Sequence, residues 1–245
     1  MPNSSDGDGK WVVGESGISG TGQIYIQSGR SVTIYPSSDY TIAKALAGNN
    51  SGTYTLATTD YDDSSIGRTV TVDAAINNGK VVVNGNGCVL FNAAGGTTQG
   101  LTVNDSATIA VNANKQPCKG AVTMKDTSTL KVAQSGTVTL ADNLTLGDNA
   151  TLAFNFTDRI AAPMLSLASG KTATLPTTLK VKISADNSIV SPSSSRAHTL
   201  TANFAIPDGT DVTVVDPPEW VDAVAVVDGN IVLTIKPKGF MVIVK

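Results

Sequence analysis

Short runs of alternating apolar and polar residues recur along most of this chain, and in its middle they recur at a fixed interval. The phrase TVNDSATIAV (102–111) returns as TMKDTSTLKV (123–132) and TLGDNATLAF (145–154), with an eroded fourth copy, SLASGKTATL, at 166–175. Aligned on Thr108, Thr129, Thr151 and Thr172, the copies lie 21, 22 and 21 residues apart. Each opens on an alternating triplet (Leu101-Thr-Val103, Val122-Thr-Met124, Leu144-Thr-Leu146, Leu165-Ser-Leu167). Each closes on another (Ile109-Ala-Val111, Leu130-Lys-Val132, Leu152-Ala-Phe154, Ala173-Thr-Leu175). Successive residues of a strand face opposite sides, so the outer two residues of each triplet point inward and the middle one outward.

One such strand cannot bury its apolar face alone, whereas equivalent strands stacked in register build continuous inner columns. A third strand shows as TVTL (137–140), with its counterpart one period later expected around Ile160. Three short strands and three bends in about 21–22 residues predict one coil of an all-β parallel β-helix, right-handed by the rule for parallel crossovers. Antiparallel hairpins also space short strands closely. They do not require every third strand to resemble the first.

Earlier runs (GQIYIQSG, SVTIYPSS, GTYTLATT, RTVTVDAA, KVVVNGNG, CVLFNAAGG) continue the pattern less regularly, interrupted by the insertion TTDYDDSSIG at 58–67. The expected organisation is a flexible lead-in over 1–9 with the first strand at Trp11–Val13, then a solenoid over 10–187. At one strand spacing per coil, about eight coils extend about 40 Å. A Ser/Pro-rich loop over 188–198 leads to a small β-rich C-terminal cap over 199–245, with a hairpin turn at Asp228-Gly-Asn230 and a buried strand in the final FMVIVK.

Composition agrees: aromatic residues are 5% and charged residues 15% of 245, while Thr and Val suit strands and Gly, Asn and Asp suit turns. The net charge is −3 with no basic run, so no nucleic-acid partner is expected. No apolar stretch approaches the roughly 18 residues that span a bilayer, so no membrane insertion by this chain is expected. The start has no signal-peptide pattern. The expectation is a fragment of a longer secreted protein, extracellular or at the cell surface. Cys88, placed beside Thr108, and Cys118, placed in the loop before Val122, are read as separate thiols, too few for a disulfide scaffold.

The stretch GTVTLADNLTLGDNATLAFNFTDRIAAPMLSLASGKTATL (136–175) resembles the passenger repeats of bacterial autotransporter-type and autotransporter-associated β-helix surface proteins. The likeness covers about 80–180 well and the rest loosely. It implies a secreted or surface-attached role, structural or adhesive, with glycans or other cell-surface material as partners. The chain departs from that family in that its last residues do not form a membrane-inserting barrel.

The candidate chemistry is sparse. Asp105, Asp126 and Asp148 follow a strand in successive coils, a column read as turn caps; the alternative is calcium, the one cofactor considered. Ser169 breaks that column in the fourth copy. In the insertion, Asp60, Asp62 and Asp63 with Arg68 or Lys44, beside Tyr61 and Tyr54, supply the alternative reading. That is a carbohydrate-active β-helix enzyme, a polysaccharide lyase or glycoside hydrolase, with its cleft at 58–67. Acids adjacent in sequence do not flank one glycosidic bond, so a solvated loop is preferred and no catalytic residue is expected. Tyr25, Tyr35 and Tyr54 are the candidate glycan contacts, if aligned along one face. Thr102, Thr123, Thr145 and Ser166 form an outward hydroxyl ladder whose neighbours (Asn104, Lys125, Gly147, Ala168) are irregular, which favours a structural role. His198 reads as a polar loop residue. DGDG (6–9) is a weaker acidic cluster, and NGNGC (84–88) a coil turn.

Overall fold

The computed structural model of the chain describes residues 8–48, 51–93, 96, 99–157, 163–185 and 196–237. These are all-β, with no helix among them, and most of the strands are parallel. The expected strand in FMVIVK, the position of Ile160, residues 6 and 7 of DGDG and residues 188–195 of the Ser/Pro-rich loop lie outside the described residues.

Two eight-stranded parallel sheets dominate. The first long sheet runs through Asp8–Val13, Ser31–Pro36, Thr53–Ala57, Lys80–Asn84, Gly100–Val103, Ala121–Met124, Leu144–Leu146 and Ala173–Thr174. The second runs through Tyr40–Ile42, Thr69–Val72, Cys88–Phe91, Thr108–Val111, Thr129–Val132, Thr151–Phe156, Thr178–Ala185 and Asp211–Val215. From Ser31–Pro36 to Thr178–Ala185 the chain visits them alternately, so each strand pairs with its counterpart in the next repeat. Short strands on a third face form two smaller sheets, Gln23–Ile26, Ala45–Gly48 and Ile76–Asn77, then Val138–Leu140, Leu165–Leu167 and Thr201–Ala202.

The register explains the recurring phrase. Thr108 pairs with Thr129 and Thr129 with Thr151, so Ile109, Leu130 and Leu152 form one inward column and Val111, Val132 and Phe154 a second. All six are buried, joined by Leu101, Val103, Val122, Met124, Leu144 and Leu146 from the first long sheet. Burial alternates residue by residue in Gly100–Val103, Ala121–Met124 and Thr129–Val132, as a period of two requires, while Ala110 and Ala153 are small enough to be buried on the outward side as well. The outward column is longer than the triplets suggested: Thr33, Thr55, Thr102, Thr123, Thr145 and Thr174 stand in register, with Val82 interrupting the hydroxyls between Thr55 and Thr102.

Five expectations are corrected. The fourth copy of the phrase is out of phase: Leu165–Leu167 pairs with Val138–Leu140 on the third face, while Ala173–Thr174 pairs with Leu144–Thr145. Thr174 therefore continues the hydroxyl ladder, and Ser166 is buried, with its hydroxyl 2.9 Å from that of Thr139. Thr151 pairs with Lys180, not Thr172. Asp211–Val215, assigned to the C-terminal cap, pairs in parallel with Thr178–Lys182 as the last strand of the second long sheet. The first strand begins at Asp8, ahead of Trp11. His198 lies in the strand Arg196–Thr199 and pairs antiparallel with Leu233.

One sheet among the described residues is antiparallel, formed by Arg196–Thr199, Asn230–Ile235 and Val221–Val227. Its last two strands are joined at Asp228 and Gly229, with φ of 49° and 72°. Positive φ at both central positions is what a two-residue hairpin turn needs for its twist to match that of the flanking strands.

Candidate functional site

The insertion at 58–67 is a built turn. Thr59 bridges Gly67 in antiparallel fashion, the Asp60 amide donates to the Ile66 carbonyl at 2.8 Å, and the Tyr61 amide donates to the Pro36 carbonyl at 2.7 Å. Asp60, the buried member of the acidic cluster, organises the loop. Its Oδ1 accepts the amides of Asp62 (2.9 Å) and Asp63 (3.1 Å), and its Oδ2 accepts Arg68 Nε at 2.6 Å. Asp63 in turn accepts the Ser65 amide at 2.9 Å and the Ser65 hydroxyl at 2.7 Å. The Asp62 amide, then Arg68, hold the Asp60 carboxyl below its ordinary range. Both acids are thus committed to their own turn and Asp62 is exposed. Only Asp60 and Arg68 converge. Lys44 lies in a separate hollow with Trp11, Val13, Ile18 and Ile24 beside the first strand.

The three candidate tyrosines occupy three different places. Tyr25 is 59% exposed on the third face. Tyr35 packs edge-on against Tyr61 at a centroid distance of 5.7 Å, and Lys10 Nζ sits 4.8 Å and 4.4 Å from the centroids of the two rings. A cation so placed is attracted by the ring quadrupoles and covers ring surface that a sugar would use. Tyr54 is fully buried, which corrects its assignment as a surface contact. It alternates in step with Leu56, and its hydroxyl donates to the carbonyls of Ile24 at 2.8 Å and Ala47 at 2.5 Å. A buried phenol needs such partners. Here they tie the first long sheet to the third face. Burial raises the Tyr54 phenol above its ordinary value.

Asp105 and Asp126 adopt φ of 55° and 50° just after strands of the first long sheet. Their carboxylates reach back one repeat: Asp126 Oδ2 accepts the Asp105 amide, and Asp105 Oδ2 the Gly85 amide, both at 3.1 Å. They tie each turn to its predecessor. Asp148 stands at the next turn without extending that chain of bonds. Among the described residues, no three acidic, cysteine or histidine side chains come together in a way that could hold a metal ion.

Sequence reasoning missed a second set of inter-repeat bonds. Asn92 Nδ2 donates to Asp73 and Asn112 Nδ2 to Asn92, each at 2.9 Å, and Asn104 Nδ2 donates to Asn84 at 2.8 Å. The signal was present as an Asn closing successive strands (KVVVN, CVLFN, LTVN, TIAVN). Cys88 pairs with Thr108 in the second long sheet, and buried Cys118 donates its thiol to the Gly120 carbonyl at 3.2 Å. The two cysteines do not form a disulfide.

Compared with protein-family models, with curated proteins and with solved structures, the chain matches none.

Proposed function

We propose that this chain is a right-handed parallel β-helix serving as a structural or adhesive segment of a bacterial secreted or cell-surface protein, its side faces presented to glycans. The observation that carries the reading is the unbroken parallel register of two eight-stranded sheets over one apolar core. Successive strands alternate between faces and pair one repeat on, which is the connectivity of a solenoid, and the handedness follows from the crossover rule. The polar side chains at the turns support it too. Asp105, Asp126, Asn92, Asn104 and Asn112 all bond to the neighbouring repeat. The resemblance of residues 136–175 to surface-protein passengers supports an extracellular or cell-surface location. The carbohydrate-active alternative gains little from the geometry, because Asp60 and Asp63 bond their own loop.

The test is to incubate the full chain with mucin, plant and bacterial polysaccharides, measuring retention and new reducing ends together. Retention without new ends is the expected result. New reducing ends would overturn a non-catalytic role, and absence of retention would reduce the role to that of a spacer.

A further inference from the structure

The outer face of the second long sheet carries a groove of about 470 Å³. Small residues form its floor, among them Thr108, Ala110, Thr129 and Ala153. Three cations stand along it: Arg68 beside the insertion, Lys131 on the central strand, and Lys182 at the far end. Among the described residues, no acidic and no aromatic side chain lines it, in a chain whose net charge is −3.

The sheet register sets the spacing of the lysines. Lys131 pairs with Ala153 and Ala153 with Lys182, so the two lie two strand spacings apart, with only a methyl group between. That is about 10 Å along the stacking direction. Their charges are unequally compensated. Arg68 bonds Asp60 at 2.6 Å, and Lys182 lies 4.0 Å from an exposed Asp216. Half-buried Lys131 has no ion-pair or hydrogen-bond partner among the described residues. A cation partly withdrawn from water without a partner is unfavourable, and an anion in the groove would relieve it.

We propose that this groove binds an acidic polysaccharide, with anionic groups of the chain on Lys131 and Lys182 and sugar hydroxyls against Thr108 and Thr129. The proposal rests on the reading of the side faces as glycan-presenting, and names the ligand class and the face. Hydroxyls on the floor suit a polyhydroxylated chain. Single-stranded nucleic acid would use aromatic platforms, and none stands among the described residues of this groove.

The experiment measures retention of the full chain on polygalacturonate and on dextran sulfate, which separate carboxylate from sulfate. Methyl-esterified polygalacturonate and single-stranded DNA serve as comparisons. Cys88 lines the groove while Cys118 is buried, so alkylation of Cys88 at alkaline pH reports occupancy of this site. The expected result is retention on at least one acidic polymer, slowed Cys88 alkylation, and about tenfold weaker binding in Lys131→Gln or Lys182→Gln, the effect of losing about 1.4 kcal/mol. Lys125→Gln, exposed just past the strand Ala121–Met124 of the other long sheet, should change nothing. The proposal is overturned by retention on neither acidic polymer, by equal binding of the ester or of DNA, by an equal loss in Lys125→Gln, or by unprotected Cys88. New reducing ends alongside Cys88 protection would support the groove while overturning the non-catalytic role, so the two failures are separable.

Discussion

Asp60 shows how one buried carboxylate shapes a loop, and its ionisation gives that loop a pH dependence with a definite sign. Its bonds to the Asp62 amide, to Arg68 and to the Asp63 amide hold the carboxyl below its ordinary value of 3.8 in the folded chain. As pH falls, the unfolded chain takes up that proton first, so it binds more protons than the fold does in this window. The stabilisation is complete above the ordinary value and is lost as pH falls through the lowered one. Hydrogen-exchange protection of the Asp62 and Asp63 amides should therefore stay level from neutrality to about pH 5 and decline below about pH 4. In Asp60→Asn the decline should vanish; a level profile in the unaltered chain would refute the assignment. At this scale much of the site was legible. Tyr54 shares the parity of Leu56 within TYTLA, and alternation applied strictly would have placed it inside. The pairing of Asp60 with Arg68 was not, because it depends on a loop fold that no periodicity describes.

Strand content was easier to read than strand phase. Each triplet of alternating residues is chemically similar whichever face it occupies, so LSL at 165–167 looked like LTL at 144–146. The lengths of the connections settle the phase. Five residues separate Val132 from Val138, and eight separate Phe156 from Leu165, and this longer connection displaces the fourth phrase by one strand. Connections also carry the tightest contacts between repeats. Gly87 precedes the strand Cys88–Phe91; its amide donates to Thr58 Oγ1 at 3.0 Å and its carbonyl accepts the Thr108 amide at 2.8 Å. A Cβ there would collide with the carbonyl oxygens of Arg68 and Thr58, backbone atoms fixed by the sheet. Gly87→Ala should cost about 1–3 kcal/mol, as overpacking does, visible as a lower urea midpoint. Gly14→Ala is the control, since its Cβ would meet Ser37 Oγ at an ordinary 3.5 Å. Equal midpoints for the two variants would mean that the backbones near Gly87 move apart freely.

For the molecule as a whole, parallel pairing of strand on strand means that distance grows linearly with strand number along a sheet. The parallel pairing of successive repeats was legible because columns of equivalent residues impose the same chemistry every 21 or 22 residues. The interruption of the third face among the described residues, between Ile76–Asn77 and Val138–Leu140, was not, since its described turns keep backbone contacts without a regular ladder. Asn114 there donates to Thr137, and Lys119 to Gly96. The outward threonines of the first long sheet allow a direct measurement. From Thr33 the register passes through Thr55 and Val82 to Thr102, three steps, and then through Thr123 and Thr145 to Thr174, three more. Spin labels on cysteines replacing Thr33 and Thr102 should lie about 14 Å apart, and on those replacing Thr33 and Thr174 about 29 Å apart, at one strand spacing per step. Cys88→Ser removes the half-buried thiol that would also react, while Cys118 is buried. Two narrow distributions in the ratio of one to two are the outcome a rigid solenoid demands. A broad second distribution would mean that the stack bends between Thr102 and Thr174, and equal distances would mean that the repeats do not stack along one axis.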